Sequence, residues 1–292
     1  MELELWSETS AAISAVAVDW ARHPRDQYST ALIVRVYHWA CLNDRPICWA
    51  CKALNWRPEV LPKVLPDQST MSRRARRQDF WQFLERVGQR MNGKTEPAMV
   101  KVVDGKPLEL PNHTTDGDST WGRGVGRMST GYKIHAIFSG NPMPAAFIIT
   151  TLNVCEKQML ARMIKRVGGF GYVLADGHYD ASWLFDDCHK HNHQLLCPRA
   201  KPGTGEGHHY VSEHRRRAIA MLEVPEAVNR FGRDLYDLRT SIERDFSQLV
   251  YFGAGLGPLP SWVRRIWRVR HWVMNKLLIN AARIRINRRK AA

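Results

Sequence analysis

Nowhere in the 292 residues is there a run of 18 or more apolar residues, so no membrane-spanning helix is expected. The opening Met1-Glu2-Leu3-Glu4-Leu5 has neither a basic segment nor an apolar one behind it, so no signal peptide is expected. Cysteine is sparse. Six thiols, at positions 41, 48, 51, 155, 188 and 197, are too few for a disulfide scaffold of this length, and a cytoplasmic chain is expected. Internal repeats and low-complexity tracts are absent. Acidic residues are under-represented and stop altogether after Asp245. Lys plus Arg is 43 against 28 for Asp plus Glu, which leaves a net charge of +15. A chain this basic expects a polyanionic partner, nucleic acid first. Hydrophobic residues at 44% and charged residues at 24% are ordinary globular values, which excludes wholesale disorder, collagen and coiled-coil fibres.

At roughly 150 residues per domain, the length suits one large unit or two modest ones. The first part, residues 1–95, reads as a small all-α region. Ser29 to Leu42 is apolar at helical spacing through Leu32, Val36, Trp39 and Ala40. Pro58, Pro62 and Pro66 punctuate a loop. Asp67 or Ser69 then caps a helix expected from about Ser69 to Arg90, which starts with Arg73, Arg74, Arg76 and Arg77. That helix start suits either the recognition helix of a helix-turn-helix, with the four arginines on DNA, or a solvated basic face. The turn-rich stretch Met91 to Pro97 marks the boundary with residues 96–292.

Beyond it the pattern turns to strands at Met99–Asp104, Lys133–Phe138 and Ala145–Leu152, then a helix at Glu156–Val167. The run Tyr172-Val173-Leu174-Ala175-Asp176 suits a central strand. Helix Ala181–His191 and strand Gln194–Cys197 complete a β-β-β-α-β-α-β order. Helices follow at Arg215–Leu222, Gly232–Val250 and, basic on one side, Trp262–Arg289. The tryptophans of that last helix are expected in the core and its arginines against phosphate.

Three carboxylates stand out by position: Asp104 and Asp176 at strand ends, and Glu243 on a later helix. In an open α/β sheet the site lies outside the carboxyl ends of the strands. Three like charges gathered there are unfavourable unless cations occupy the site. Hard oxygen ligands suit Mg²⁺ or Mn²⁺, and a pair of such ions serves phosphodiester chemistry. The plainer alternative is that each Asp-Gly pair is only a turn. On one helix Tyr236, Arg239 and Glu243 share a face within roughly 60°. A guanidinium beside a metal-binding carboxylate would clamp phosphate, whereas on a solvated face it would be a weak i,i+4 pair.

Tyr236-x2-Arg239-x3-Glu243 resembles the Y-x2-R-x3-E-x6-K motif of bacterial insertion-sequence DDE transposases. Val102-Val103-Asp104-Gly105-Lys106-Pro107 is similar to the segment carrying that family's first Asp, and Leu174-Ala175-Asp176-Gly177-His178-Tyr179-Asp180 to the segment carrying its second. Gly131-Tyr132-Lys133-Ile134-His135 resembles its second strand and His271 to Leu278 its closing helix. The likeness covers about residues 96 to 287, in order, and extends less specifically to the N-terminal region. The final Lys of the motif falls on Val250.

The resemblance implies a ribonuclease-H-like α/β fold: a mixed five-stranded sheet flanked by helices and preceded by the all-α region. It implies a DNA transposase that cuts by two-metal-ion hydrolysis and joins the 3′-hydroxyl to target DNA. Asp104, Asp176 and Glu243 would hold two Mg²⁺ ions, with Mn²⁺ able to substitute. Tyr236 and Arg239 would touch the backbone near the cut, and Arg264 or Arg265 would supply the contact that Val250 lacks. The implied partners are double-stranded DNA, as terminal inverted repeats and target, and a second copy of the chain in the synaptic complex. A domesticated DNA-binding protein, or a metal-dependent nuclease without strand transfer, is the alternative. Cys188, His189, His191, His193 and Cys197 crowd together but match no zinc spacing, and Gly122-Arg123-Gly124-Val125-Gly126-Arg127 does not lead from a strand into a helix as a nucleotide-binding loop must.

Overall fold

The computed structural model describes residues 1–93, 97–111, 115–201, 211–225, 230–240, 246, 249 and 256–291. The chain forms two compact units. One comprises Met1–Lys94, Pro111–Asp118 and Gln248–Ala292; the other comprises Thr95–Leu110 and Ser119–Ser247.

The first unit is helical: α1 (Glu2–Val18), α2 (Thr30–Leu42), α3 (Ile47–Ala50), α4 (Gln68–Ala75) and α5 (Gln78–Asn92), with the long C-terminal helix among them. Ser29 caps α2, its hydroxyl accepting from the Leu32 amide at 3.2 Å. Trp6, Trp39 and Trp56 stack in the core with ring centroids 4.9 to 5.6 Å apart. Burying rings of this size contributes about 1.5–3 kcal/mol each relative to exposure.

Residues 69–90 are not one helix. Asp67 caps α4, accepting from the Thr70 amide at 2.8 Å, and the chain breaks at Arg77, whose backbone is extended. The break follows from charge. Arg77 turns back to Asp26 at 2.7 Å and Asp79 at 3.0 Å, and Arg74 reaches Asp26 at 3.0 Å.

The last helix is numbered here after the sheet unit's helices as α10 (Ile266–Ala291). It belongs with the N-terminal helices, whereas the sequence pattern grouped it with the sheet. Nor is it a surface helix with one basic side. Every residue from His271 to Ala282 is buried, because α1, α2 and α5 pack around it. Two of its polar side chains in that stretch find partners: Asn275 Oδ1 lies 3.0 Å from His38 Nδ1, and Lys276 Nζ donates to the Cys41 carbonyl at 2.9 Å and to Asp44.

The second unit is built on a mixed sheet of six strands: β1 (Val100–Glu109), β2 (Thr120–Arg123), β3 (Met128–Phe138), β4 (Ala146–Thr151), β5 (Gly171–Leu174) and β6 (His193–Leu196). The order is β2-β3-β1-β5-β6, with β4 continuing along the same edge of β3 as β2. The strand β2 takes in Gly122 and Arg123 of the glycine-rich stretch. β1, β5 and β6 run parallel, and β1, β3 and β4 antiparallel. Helices α6 (Glu156–Ile164), α7 (Ser182–Lys190), α8 (Glu213–Glu223) and α9 (Phe231–Asp237) accompany the sheet.

β1 outruns its neighbour. Its pairing with β5 ends at Val102–Leu174, while its pairing with β3 continues to Glu109–Gly131. Pro107 is tolerated because this stretch of β1 has a strand on one side only. Beyond Leu174 the edge of β1 is open, and the groove described next begins there.

Candidate active site

The parallel register between β1 and β5 is constant: Val100 faces Tyr172, Lys101 faces Val173 and Val102 faces Leu174. Each carboxylate follows the last of these pairs by two residues, Asp104 still on β1 and Asp176 on the turn after β5. The charge of Asp176 acts on Asp104, so the two lie near one another. Both line an open groove of about 900 Å³, with Gly105, Arg123, Lys133, Glu156, Lys157 and His178.

Burial pushes the Asp104 carboxyl up to about 6, and the Glu156 and Asp176 charges push the same way, against the Gly105 amide and the Arg239 guanidinium. The Gly105 amide donates to Asp104 Oδ1 at 2.7 Å. Asp176 has a local task as well. It caps the short 3-10 turn Gly177–Tyr179, accepting from the His178 amide at 2.9 Å, while its other oxygen lies 3.2 Å from His178 Nδ1. The turn reading and the site reading therefore both describe this residue.

Glu156 was not singled out in the sequence. It opens α6 beside β1, where Gly105 makes room for it: a Cβ at Gly105 would stand 2.9 Å from Glu156 Oε1. Lys133 holds it in an ion pair at 2.7 Å. Burial raises the pKa of the fully buried Tyr179 phenol, and the charges of Glu156, Asp104 and Asp176 push it the same way. Among the described residues that hydroxyl has no hydrogen-bond partner. Two carboxylates on one groove, with burial and like charge disfavouring the ionised form of Asp104, make an oxygen donor set suited to a hard divalent cation. Among the described residues, no three His, Cys, Asp or Glu side chains close on a single point. Glu243 lies outside the described residues.

The helix expected over 232–250 is interrupted. After Asp237 a 3-10 turn spans Leu238–Thr240, and the Thr240 hydroxyl donates to the Asp237 carbonyl at 2.9 Å, a local bond that competes with the helical ladder. Leu238 is exposed, while Leu235, Phe246 and Leu249 are buried. Tyr236 and Arg239 do come together, and Tyr236 lines a separate small cleft with Pro198, Leu222 and Asp237. The Tyr236 hydroxyl donates to the Ala175 carbonyl at 3.1 Å, one residue from Asp176. The Arg239 guanidinium lies 5.8 Å from the Tyr236 ring centroid, acts on Asp104, and enters no ion pair among the described residues.

Strand alternation puts Lys106 on the same face of β1 as Asp104. Its ammonium sits 5.9 Å from the Phe246 ring centroid, and the ring stacks edge-on against Phe138. Lys106 is half-buried and has no hydrogen-bond or ion-pair partner among the described residues; burial lowers its pKa and Asp104 opposes the shift. Phe138 faces Val102 in register, so Phe246 rests over the face that carries Asp104.

The arginines separate. Arg74 is buried, bound to the Tyr28 carbonyl, Thr30 and Asp26, and Arg77 is paired with Asp26 and Asp79. Arg265 is paired with Asp118 at 2.8 Å, and Arg264 Nε donates to the Ser261 carbonyl at 2.7 Å. Arg73 and Arg76 are exposed. Farther along α10, Arg285 and Arg289 pair with Glu8 and Lys290 pairs with Glu4. Cys188 and Cys197 are buried free thiols, and His193 Nδ1 is taken by the His191 carbonyl at 2.6 Å.

The family model for the transposase DDE domain matches residues 96–259. No curated protein matches. Among solved structures, the chain is similar to a piggyBac transposase in a synaptic complex with hairpin DNA, at 12% identity and a TM-score of 0.34, over 71% of this chain and 49% of that one. The chain thus spans about half the length of that structure.

Proposed function

The chain belongs to the transposase DDE domain family, and on that premise we propose that it is a DNA transposase that cuts at the ends of its element and joins the freed 3′-hydroxyl to target DNA. The observation that carries this reading is the pair Asp104 and Asp176, delivered to one groove by adjacent strands, with burial holding Asp104 near 6. Asp104, Asp176 and Glu243 would hold Mg²⁺ or Mn²⁺. When bound, such ions neutralise charge on the phosphodiester and lower the pKa of the attacking water.

The chain's own groups do the rest. Arg239, which enters no ion pair among the described residues, offers its planar fork to a phosphate. Tyr236 ties the helix to the Ala175 carbonyl and so fixes the backbone that carries Asp176. Lys106, unpaired among the described residues, supplies beside Asp104 the cation that the resembled motif draws from its final Lys and that this chain lacks at Val250; this role passes from Arg264 and Arg265, whose guanidinium groups already have bonds within the fold. Arg123 and Lys157 line the groove where the DNA backbone would run. Double-stranded DNA is the partner, and a second copy of the chain completes the synaptic complex. The presence of Tyr236 and Arg239 beside Asp104 supports the bacterial insertion-sequence subgroup. No helix among the described residues is long and apolar enough to cross a membrane.

The test is cleavage and joining of DNA carrying the flanking terminal repeats, with Mg²⁺, by the wild type and by Asp176→Ala. Wild-type cleavage with strand joining, lost in Asp176→Ala while end binding holds or tightens, is the expected outcome. Undiminished Mg²⁺-dependent cleavage by Asp176→Ala would overturn the metal-ligand role. Cleavage without joining would favour a nuclease.

A further inference from the structure

The helical unit holds a cleft of about 270 Å³ that the catalytic reading does not use. Its walls include Tyr37, Trp262, Trp267 and Trp272, and Arg45 and Arg268 line it too. The expectation that these tryptophans are core holds for Trp272, which is buried, but Trp262 is 39% exposed. The Trp267 ring carries two guanidinium groups, Arg268 at 5.0 Å and Arg76 at 5.4 Å from its centroid. Nearby, Arg270 lies 4.5 Å over Trp81.

None of Arg45, Arg76, Arg268 and Arg270 has a carboxylate partner among the described residues. The local acids are engaged elsewhere: Asp67 accepts from Ser69 and Thr70 to cap α4, and Asp44 pairs with Lys276. The other end of α10 shows the contrast, since Arg285, Arg289 and Lys290 are neutralised there by α1. Unneutralised guanidinium groups around an aromatic cleft repel one another until an anion joins them. The volume falls just under the usual range for small-molecule pockets, so it admits one ring system and excludes a duplex.

We infer that this cleft binds the base of an unpaired nucleotide in DNA. The exposed Trp262 indole stacks on the base, Gln68 and Ser72 at the cleft wall meet its polar edge, and Arg45 and Arg268 hold the adjoining phosphates. The inference rests on the transposase reading for the identity of the DNA, but not for its test.

The test uses the full chain in metal-free buffer, with a short oligothymidylate and a blunt duplex as separate probes. The oligothymidylate is expected to quench tryptophan emission. Trp262→Ala and Arg45→Ala, both at exposed positions that folding does not require, should each weaken its binding; the loss at Trp262 should be roughly 5- to 150-fold, the range for one stacked base. Duplex affinity should not change in either variant. Oligothymidylate binding at wild-type affinity in both variants, or with no quenching, overturns the inference. If the duplex binds and the oligothymidylate does not, the cleft assignment alone falls. If neither binds, the transposase reading falls with it.

Discussion

Acid should unfold the helical unit well before its carboxylates are exhausted, because two histidines are buried there in neutral form. Burial pushes His38 down to about 4, reinforced by Lys276 and opposed by its hydrogen bond with Asn275. Burial and then Arg270 push His271 down to about 3. His38 Nε2 and His271 Nδ1 have no partner among the described residues, so a proton on either would be an unsatisfied buried donor. In the unfolded chain both rings titrate near 6.5. The folded values are depressed, so the stability is present above about pH 6.5 and is lost as pH falls toward 4. At pH 5 the unfolded state has bound a proton at each ring and the folded state has not. Each histidine then costs about 2 kcal/mol, and the pair roughly 4 kcal/mol, a large share of the usual 5–15 kcal/mol. With a urea dependence of about 2 kcal/mol per M, the midpoint should drop by about 2 M between pH 7.5 and pH 5. Urea titration followed by tryptophan emission reads this unit, because nine of the 11 tryptophans lie in it. The double variant His38→Gln, His271→Gln should start from a lower midpoint and show little of the pH dependence. An equal drop in that variant, or no drop in the wild type, would refute the reasoning.

Further outcomes follow from the groove and the ion pairs. Arg239→Lys keeps the charge but loses the fork, so cleavage or joining on pre-bound ends should fall at least tenfold with little change in melting temperature; unimpaired joining would make Arg239 structural. Lys106→Ala should reduce cleavage while Lys106→Arg restores part of it, and equal activity in both would remove Lys106 from the site. Arg74→Met leaves Asp26 with Arg77 as its remaining partner and the Tyr28 carbonyl without its donor, and should cost about 1–3 kcal/mol by urea unfolding, without a specific loss in DNA affinity; an unchanged stability would contradict the pairing. DNA affinity should fall steeply between 50 and 200 mM salt as counterions are released, and a flat response would argue against phosphate-dominated binding.

The apolar periodicities of this chain were enough to forecast most strands and helices of the sheet unit, because each element buries one regular face. Asp104 and Asp176 were visible for the same reason: each sits where an apolar strand pattern ends. Tyr236 and Arg239 stood out by spacing, and their side chains meet although the helix expected to align them gives way to a 3-10 turn at Leu238. What sequence spacing could not give was partnership. Arg73, Arg74, Arg76 and Arg77 look alike in a row, yet Asp26, 51 positions from Arg77, claims two of them and leaves two exposed. Glu156 carries no motif and becomes part of the site only because Gly105 admits it beside β1 and Lys133 holds it there. The C-terminal helix reads as a basic surface helix until α1, α2 and α5 are seen to surround it. Local patterns record which face of an element is apolar. Which charge neutralises which, and which remain free for DNA, depends on distances between residues far apart in the chain, and the tertiary fold alone sets those.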